Sequence, residues 1–128
     1  MIPQLPNKIR ALVIDDKRVI FDMFNFFLGF QGHSITYVNN PQDAIDIIKN
    51  ENFDIAFCDI VMPDKDGITL LQELKSISPK LPVVMMSGFT LEPQRKKARE
   101  LGAIDCLNKP MERRDIQRVI KVATGIDI

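Results

Sequence analysis

An alternation constrains this chain more than any other feature. Five short apolar runs, at residues 10–14, 34–38, 55–58, 83–87 and 104–107, are separated by longer stretches with apolar residues at helical spacing. Strand and helix alternating five times predicts a parallel sheet, because parallel strands need crossovers and the crossover helices then cover both faces. The helical stretches are Lys17 to Gln31, Pro41 to Asn50, Ile68 to Ser78, Leu91 to Leu101 and Arg113 to Thr124. Four of the apolar runs also end in a polar group. Asp15 and Asp16 follow Ala11-Leu12-Val13-Ile14, and Asp59 follows Ile55-Ala56-Phe57-Cys58. Ser87 follows Val83-Val84-Met85-Met86, and Lys109 follows Ile104-Asp105-Cys106-Leu107-Asn108. A doubly wound parallel sheet gathers such groups at its carboxyl edge and builds a site there.

Asp59 is the most telling of these residues. A carboxylate at the mouth of a buried strand has lost solvent on one side, and it stays charged only beside a cation or hydrogen-bond donors. Asp15, Asp16 and Asp59 together would supply hard oxygen ligands, which suit Mg²⁺ with retained waters. Without a metal, three close carboxylates would repel one another and raise their own pKa values. Singly, each motif has an ordinary reading. Asp15-Asp16 could cap a helix, Lys109 could be a surface lysine, and Ser87 a turn residue.

In this order, Asp15-Asp16, Asp59 with Met62-Pro63 and Gly67, Ser87-Gly88, and Leu101-Gly102-Ala103 leading to Lys109-Pro110 resemble a response-regulator receiver domain. The resemblance runs over roughly residues 9 to 124. It implies a flavodoxin-like α/β fold, with five parallel strands in the order 2-1-3-4-5 and five helices on both faces. The receiver domain would span residues 9–128, behind an N-terminal tail at 1–8. It implies that Asp59 is the phosphoacceptor, that Lys109 donates to a phosphoryl oxygen, and that Ser87 adds a hydroxyl hydrogen bond with Gly88 leaving room beside it. Mg²⁺ would be held directly by Asp16, Asp59 and the backbone carbonyl of Val61, and by Asp15 mainly through water. The implied donor is a histidine kinase or a histidine phosphotransfer protein. The implied readout is a shift of the face built by the last two helices and the last strand, a face that could also support a weak dimer of an otherwise monomeric chain. Such a protein catalyses its own phosphorylation and slow dephosphorylation. The competing reading is a receiver-fold interaction module that works without phosphorylation.

Three departures from the family pattern stand out. Cys106 holds the place, three residues before Lys109, where the family usually has an aromatic switch residue, and a thiol cannot make the same large displacement. Val61 and Phe89, two residues after Asp59 and Ser87, are both apolar, so neither can orient a hydrolytic water, and a slow loss of the phosphoryl group is expected. The first helix holds Phe21, Phe24, Phe26, Phe27 and Phe30. One stripe, Ile20, Phe24, Phe27 and Leu28, can face the sheet. A second, Val19, Met23, Phe26 and Phe30, is either covered by neighbouring helices or left as an apolar patch for a helical partner.

Two other chemistries are set aside. Asp64, Asp66, Gly67 and Glu73 match four positions of a calcium loop, but the first position would be Met62 and a strand would precede it. A haloacid-dehalogenase-type phosphatase would need a second acid two residues after Asp59, where Val61 stands. Composition excludes more. The 17 cations balance the 17 anions, so no global basic field points to direct nucleic-acid binding. From residue 91 onward nine cations face six anions, so that part carries +3 and the rest −3. No apolar stretch is long enough to span a bilayer. Two cysteines and a start without a signal-peptide core suggest a cytoplasmic setting. In the expected strand order Cys58 and Cys106 lie two strands apart, about 9 to 10 Å, too far for a disulfide. His33 has no acidic or cysteine partner nearby and reads as a loop histidine.

Overall fold

The computed structural model describes residues 8–63, 65–88 and 92–128. Of the expected tail at 1–8, Lys8 is described and the rest lies outside the described residues. The strands are β1 (Arg10–Ile14), β2 (Ser34–Val38), β3 (Ile55–Asp59), β4 (Val83–Ser87) and β5 (Asp105–Asn108). The helices are α1 (Arg18–Phe27), α2 (Pro41–Asn50), α3 (Gly67–Ile77), α4 (Glu92–Glu100) and α5 (Arg113–Thr124). The start expected for the fourth helix, Leu91, lies outside the described residues. All strand pairs are parallel, and the sheet order is β2-β1-β3-β4-β5.

Side chains alternate along each strand, so every strand feeds two cores. Leu12 and Ile14 of β1, with Ala56 and Cys58 of β3 and Val83 and Met85 of β4, pack under α2, α3 and α4. Ala11, Val13, Phe57, Val84 and Met86 pack under α1 and α5. Burial on both faces explains why these strands read as near-continuous apolar runs rather than alternating ones. The helices start where the chemistry favours it. Asn40 accepts the Asp43 N–H at 2.9 Å ahead of Pro41, and Asp66 accepts the Ile68 N–H at 3.0 Å. Gly125 closes α5 with φ 77°.

The first helix differs from the Lys17–Gln31 expectation. It stops at Phe27, and residues Gly29–Gln31 tighten into a 3-10 turn that Gly32 ends with φ 88°. Gly29 is a weak helix former, and helix ends commonly tighten in this way. The inner stripe behaves as expected. Phe24 and Leu28 are fully buried, and the Phe24 ring lies 4.5 Å from that of Phe57. The outer stripe is covered only in part: Met23 is half-buried against the core, whereas Val19, Phe26 and Phe30 are 65%, 63% and 77% exposed.

Cys58 and Cys106 are both free and buried, with β4 between their strands. Burial, with Asp59 the next cause, pushes the Cys58 thiol far above its ordinary range, so it packs as a small apolar group. His33 lies in the loop between Gly32 and β2, as expected. It is buried, and its Nδ1 accepts the Ile9 N–H at 3.1 Å. This bond ties the start of β2 to the start of β1.

Burial and then the Lys8 charge hold the His33 pKa below its ordinary value. The unfolded chain therefore binds more protons as pH falls below about 6.5, and stability drops in that window toward the lower folded value. His33→Asn keeps an acceptor at the Nδ1 position but does not titrate. The parent should lose more of its urea midpoint between neutral and mildly acidic pH than the variant. Equal losses would remove His33 as the cause.

Candidate functional site

The sheet order brings the polar strand ends together. β1 and β3 are neighbours, so Asp15 and Asp16 sit beside Asp59. Their carboxylates offer oxygens within 4.8 Å of one another. β4 and β5 continue the row, and the Lys109 N–H donates to the Ser87 carbonyl at 2.7 Å. A cis bond between Lys109 and Pro110 follows. The Lys109 ammonium reaches back to Asp15 Oδ2 at 2.6 Å and Asp59 Oδ2 at 3.2 Å. Asp16, Asp59, Val61, Ser87, Gly88 and Lys109 line one open cleft of about 610 Å³.

Each acid has a distinct setting. Asp15 is fully buried, and its two oxygens accept from the Lys17 N–H at 2.8 Å and from Lys109. Asp59 is 5% exposed and accepts the Val61 N–H at 3.1 Å through Oδ1. Asp16 is the most open, with its side chain 26% exposed. Burial raises the Asp59 pKa. The Val61 N–H and Lys109 pull it back without cancelling the effect, and Asp15 adds to the rise. Burial alone would lower Lys109, but the hydrogen bond and charge of Asp15, then those of Asp59, hold it above the ordinary lysine range. Lys109 therefore stays an ammonium.

Gly67 has a geometric reason to be glycine. A Cβ there would lie 2.4 Å from the Asp59 carbonyl oxygen and 2.5 Å from Ile60 Cα. Without it, the first turn of α3 seats directly on the backbone that carries Asp59, and the Gly67 N–H donates to the Ile60 carbonyl at 2.8 Å. Gly88 is open, with nothing within 4 Å of the Cβ position. Phe89 and Asp64 lie outside the described residues.

Sequence reasoning passed over three residues. Lys17 and Ile20 line the cleft as well; the signal for Lys17 was its place directly after the acid pair. Arg95 was the third. Its guanidinium donates to the Cys106 carbonyl at 2.8 Å and to Asn108 Oδ1 at 2.5 Å, tying α4 to β5. Cys106 itself is 2% exposed, so the position expected for a mobile aromatic holds a small buried side chain, with arginine bridging over its backbone.

Three carboxylates, a half-buried ammonium and a hydroxyl at one sheet edge can hold a divalent cation and accept a transferred oxyanion group. A family profile described as the response regulator receiver domain matches residues 11–121. The chain belongs to that family. It is 33% identical over 108 residues to the transcriptional regulatory protein FixJ of Bradyrhizobium diazoefficiens, covering 84% of this chain and 53% of that one. It is 28% identical over 117 residues to the transcriptional regulatory protein ZraR of Escherichia coli (strain K12), covering 91% of this chain and 26% of that one. The chain thus spans about a quarter to a half of these relatives. Among solved structures, it is similar to a CheY-like receiver domain protein from Methanospirillum hungatei JF-1, with a TM-score of 0.84, 28% identity, and 90% and 92% of the two chains covered. Among the described residues of this receiver, no helix is long and apolar enough to cross a membrane.

The raised Asp59 pKa means that the folded receiver binds more protons than the unfolded chain between the ordinary carboxylate range and the raised value. Stability therefore falls as pH rises through that window, and the whole penalty is present above it. Asp59→Asn removes the disfavoured charge and leaves Lys109 paired with Asp15. In a chelator at neutral pH, the variant should melt about 3 °C or more above the parent, and the gap should narrow as the pH is lowered. A variant that melts below the parent at neutral pH would show that the site favours the Asp59 charge.

Proposed function

We propose that this receiver is a Mg²⁺-dependent phosphoacceptor, taking a phosphoryl group from a phosphohistidine of a histidine kinase or phosphotransfer protein onto Asp59. One observation carries the reading: a nearly buried carboxylate held 3.2 Å from an ammonium, with two further acids close enough to share a cation. An Asp59 oxygen attacks phosphorus. The new O–P bond forms as the P–N bond breaks, and its electron pair returns to the imidazole nitrogen, which leaves neutral once protonated. Asp16, Asp59 and the Val61 carbonyl would hold Mg²⁺ directly, and Asp15 through water. Bound there, the ion neutralises the acids and the transferring oxygens. Lys109 stays charged and donates to a phosphoryl oxygen, and the Ser87 hydroxyl donates to another. Both residues sit at the ends of strands that lead into α4 and α5, so their movement biases the face built by α4, β5 and α5.

The rival reading is an interaction module that works without phosphorylation. It is favoured by Cys106, which lacks the bulk of the family's switch residue, and by the Arg95 bridge, which holds α4 on β5. Acetyl phosphate with Mg²⁺ separates the two. The parent should gain one phosphoryl group by mass spectrometry, and Asp59→Asn should gain none while keeping its fold. An unlabelled parent would leave the interaction module.

The phosphorylated state should be long-lived. Val61 is 68% exposed and lines the cleft, where it offers a water no hydrogen bond; Phe89 is the second apolar residue. Val61→Asn combined with Phe89→Glu should shorten the half-life about tenfold, about 1.4 kcal/mol in barrier. Decay of the double variant at the parent's rate would place lifetime control elsewhere.

A further inference from the structure

Lys17 has no role in the acceptor reading, yet it lines the same cleft. Its backbone N–H donates to Asp15 Oδ1 at 2.8 Å, which fixes the residue at the rim of the acids. Its ammonium lies 3.7 Å from Asp16 Oδ2, with the Lys17 side chain 70% exposed. The first turn of α1 carries no acid, so among the described residues Asp16 is the acid with which Lys17 pairs.

The two lysines of the cleft are unlike. Lys109 is inside, short-bonded to Asp15, with 17% of its side chain exposed. Lys17 is outside, loosely held, and rests on the most open acid of the three. Three carboxylates and Lys109 leave the site at −2, and Lys17 brings it to −1. An ion pair this long and this exposed contributes little, so a dication that uses Asp16 displaces it easily. It still competes, because a cation resting on a ligand carboxylate lowers the field that draws the metal. Once displaced, the ammonium remains tethered at the mouth of the cleft on a flexible four-carbon stem. An anionic donor reaching Asp59 through this cleft would meet it there.

We infer that Lys17 is a positioning residue that gives up Asp16 to the metal and then attracts the phosphoryl group of the incoming donor, trading metal affinity for donor capture. The inference rests on the phosphoacceptor reading. Lys17→Met keeps the stem and removes the charge; Lys17→Arg restores it.

The test uses the full chain at low ionic strength, with Mg²⁺ binding followed by calorimetry and acetyl phosphate as the donor. Lys17→Met should bind Mg²⁺ about three- to tenfold tighter. At saturating Mg²⁺ its KM for acetyl phosphate should rise by a similar factor, with the maximal rate little changed. Lys17→Arg should return both toward the parent, and high salt should compress both differences. A structural role for the side chain would not tighten metal binding. Unchanged Mg²⁺ affinity in Lys17→Met, or tighter binding with an unchanged KM, overturns the inference. A parent that takes up no phosphoryl group overturns the acceptor reading and the donor half with it, while the calorimetry still decides whether Lys17 competes with the metal.

Discussion

The Lys109 ammonium between Asp15 and Asp59 is the interaction on which the rest depends. Two acids this buried, with a third close by, are tolerated because a cation is held 2.6 and 3.2 Å from them. The three residues come from different strands and are far apart in sequence. Their meeting requires β1, β3, β4 and β5 to lie in one sheet with their carboxyl ends in register. The smaller features serve that placement. Gly67 lets α3 rest on the backbone of Asp59, and the Lys109 N–H hooks onto the Ser87 carbonyl. One ammonium against three acids still leaves the site negative, and a negative cluster of oxygen ligands is a setting that suits a divalent cation.

The surroundings of the site are less ordinary than the site. Where the family usually carries an aromatic switch, Cys106 is buried and Arg95 bridges the backbone of β5 to α4. A guanidinium with two acceptors holds a helix by direction as well as by charge. A shift of α4 would have to break or re-form those bonds, whereas an aromatic ring only rotates. The exposed stripe of Val19 and Phe26 on α1, continued by Phe30 in the 3-10 turn after it, is a second departure. It follows from a helix that offers apolar residues on two sides while the sheet can bury one.

Much of this was legible in the sequence, for identifiable reasons. The alternation of apolar runs and helical periodicity is a direct record of a doubly wound sheet, and strand ends are easy to read when they finish in Asp, Ser or Lys. The early stop of α1 was less visible, because Gly29 interrupts a run of phenylalanines that keep helical spacing. His33 does lie in a loop, as its sequence context suggests, but its burial and the Ile9 N–H that it accepts are long-range features that no local pattern encodes. Arg95 and Lys17 were passed over because a charged residue on a charged helix, or next to an acid pair, looks solvated until the partner strand is in place. Only the fold shows that one reaches the Cys106 carbonyl and the other rests on Asp16.

The central claim is that Asp59, among three clustered acids, is the one that carries the phosphoryl group. Borohydride reduction tests this most directly, because it converts an acyl phosphate to an alcohol and leaves free carboxylates intact. After treatment with acetyl phosphate and Mg²⁺, peptide sequencing by mass spectrometry should find homoserine at position 59 and aspartate at positions 15 and 16. Homoserine at 15 or 16, or aspartate at all three, would contradict the account.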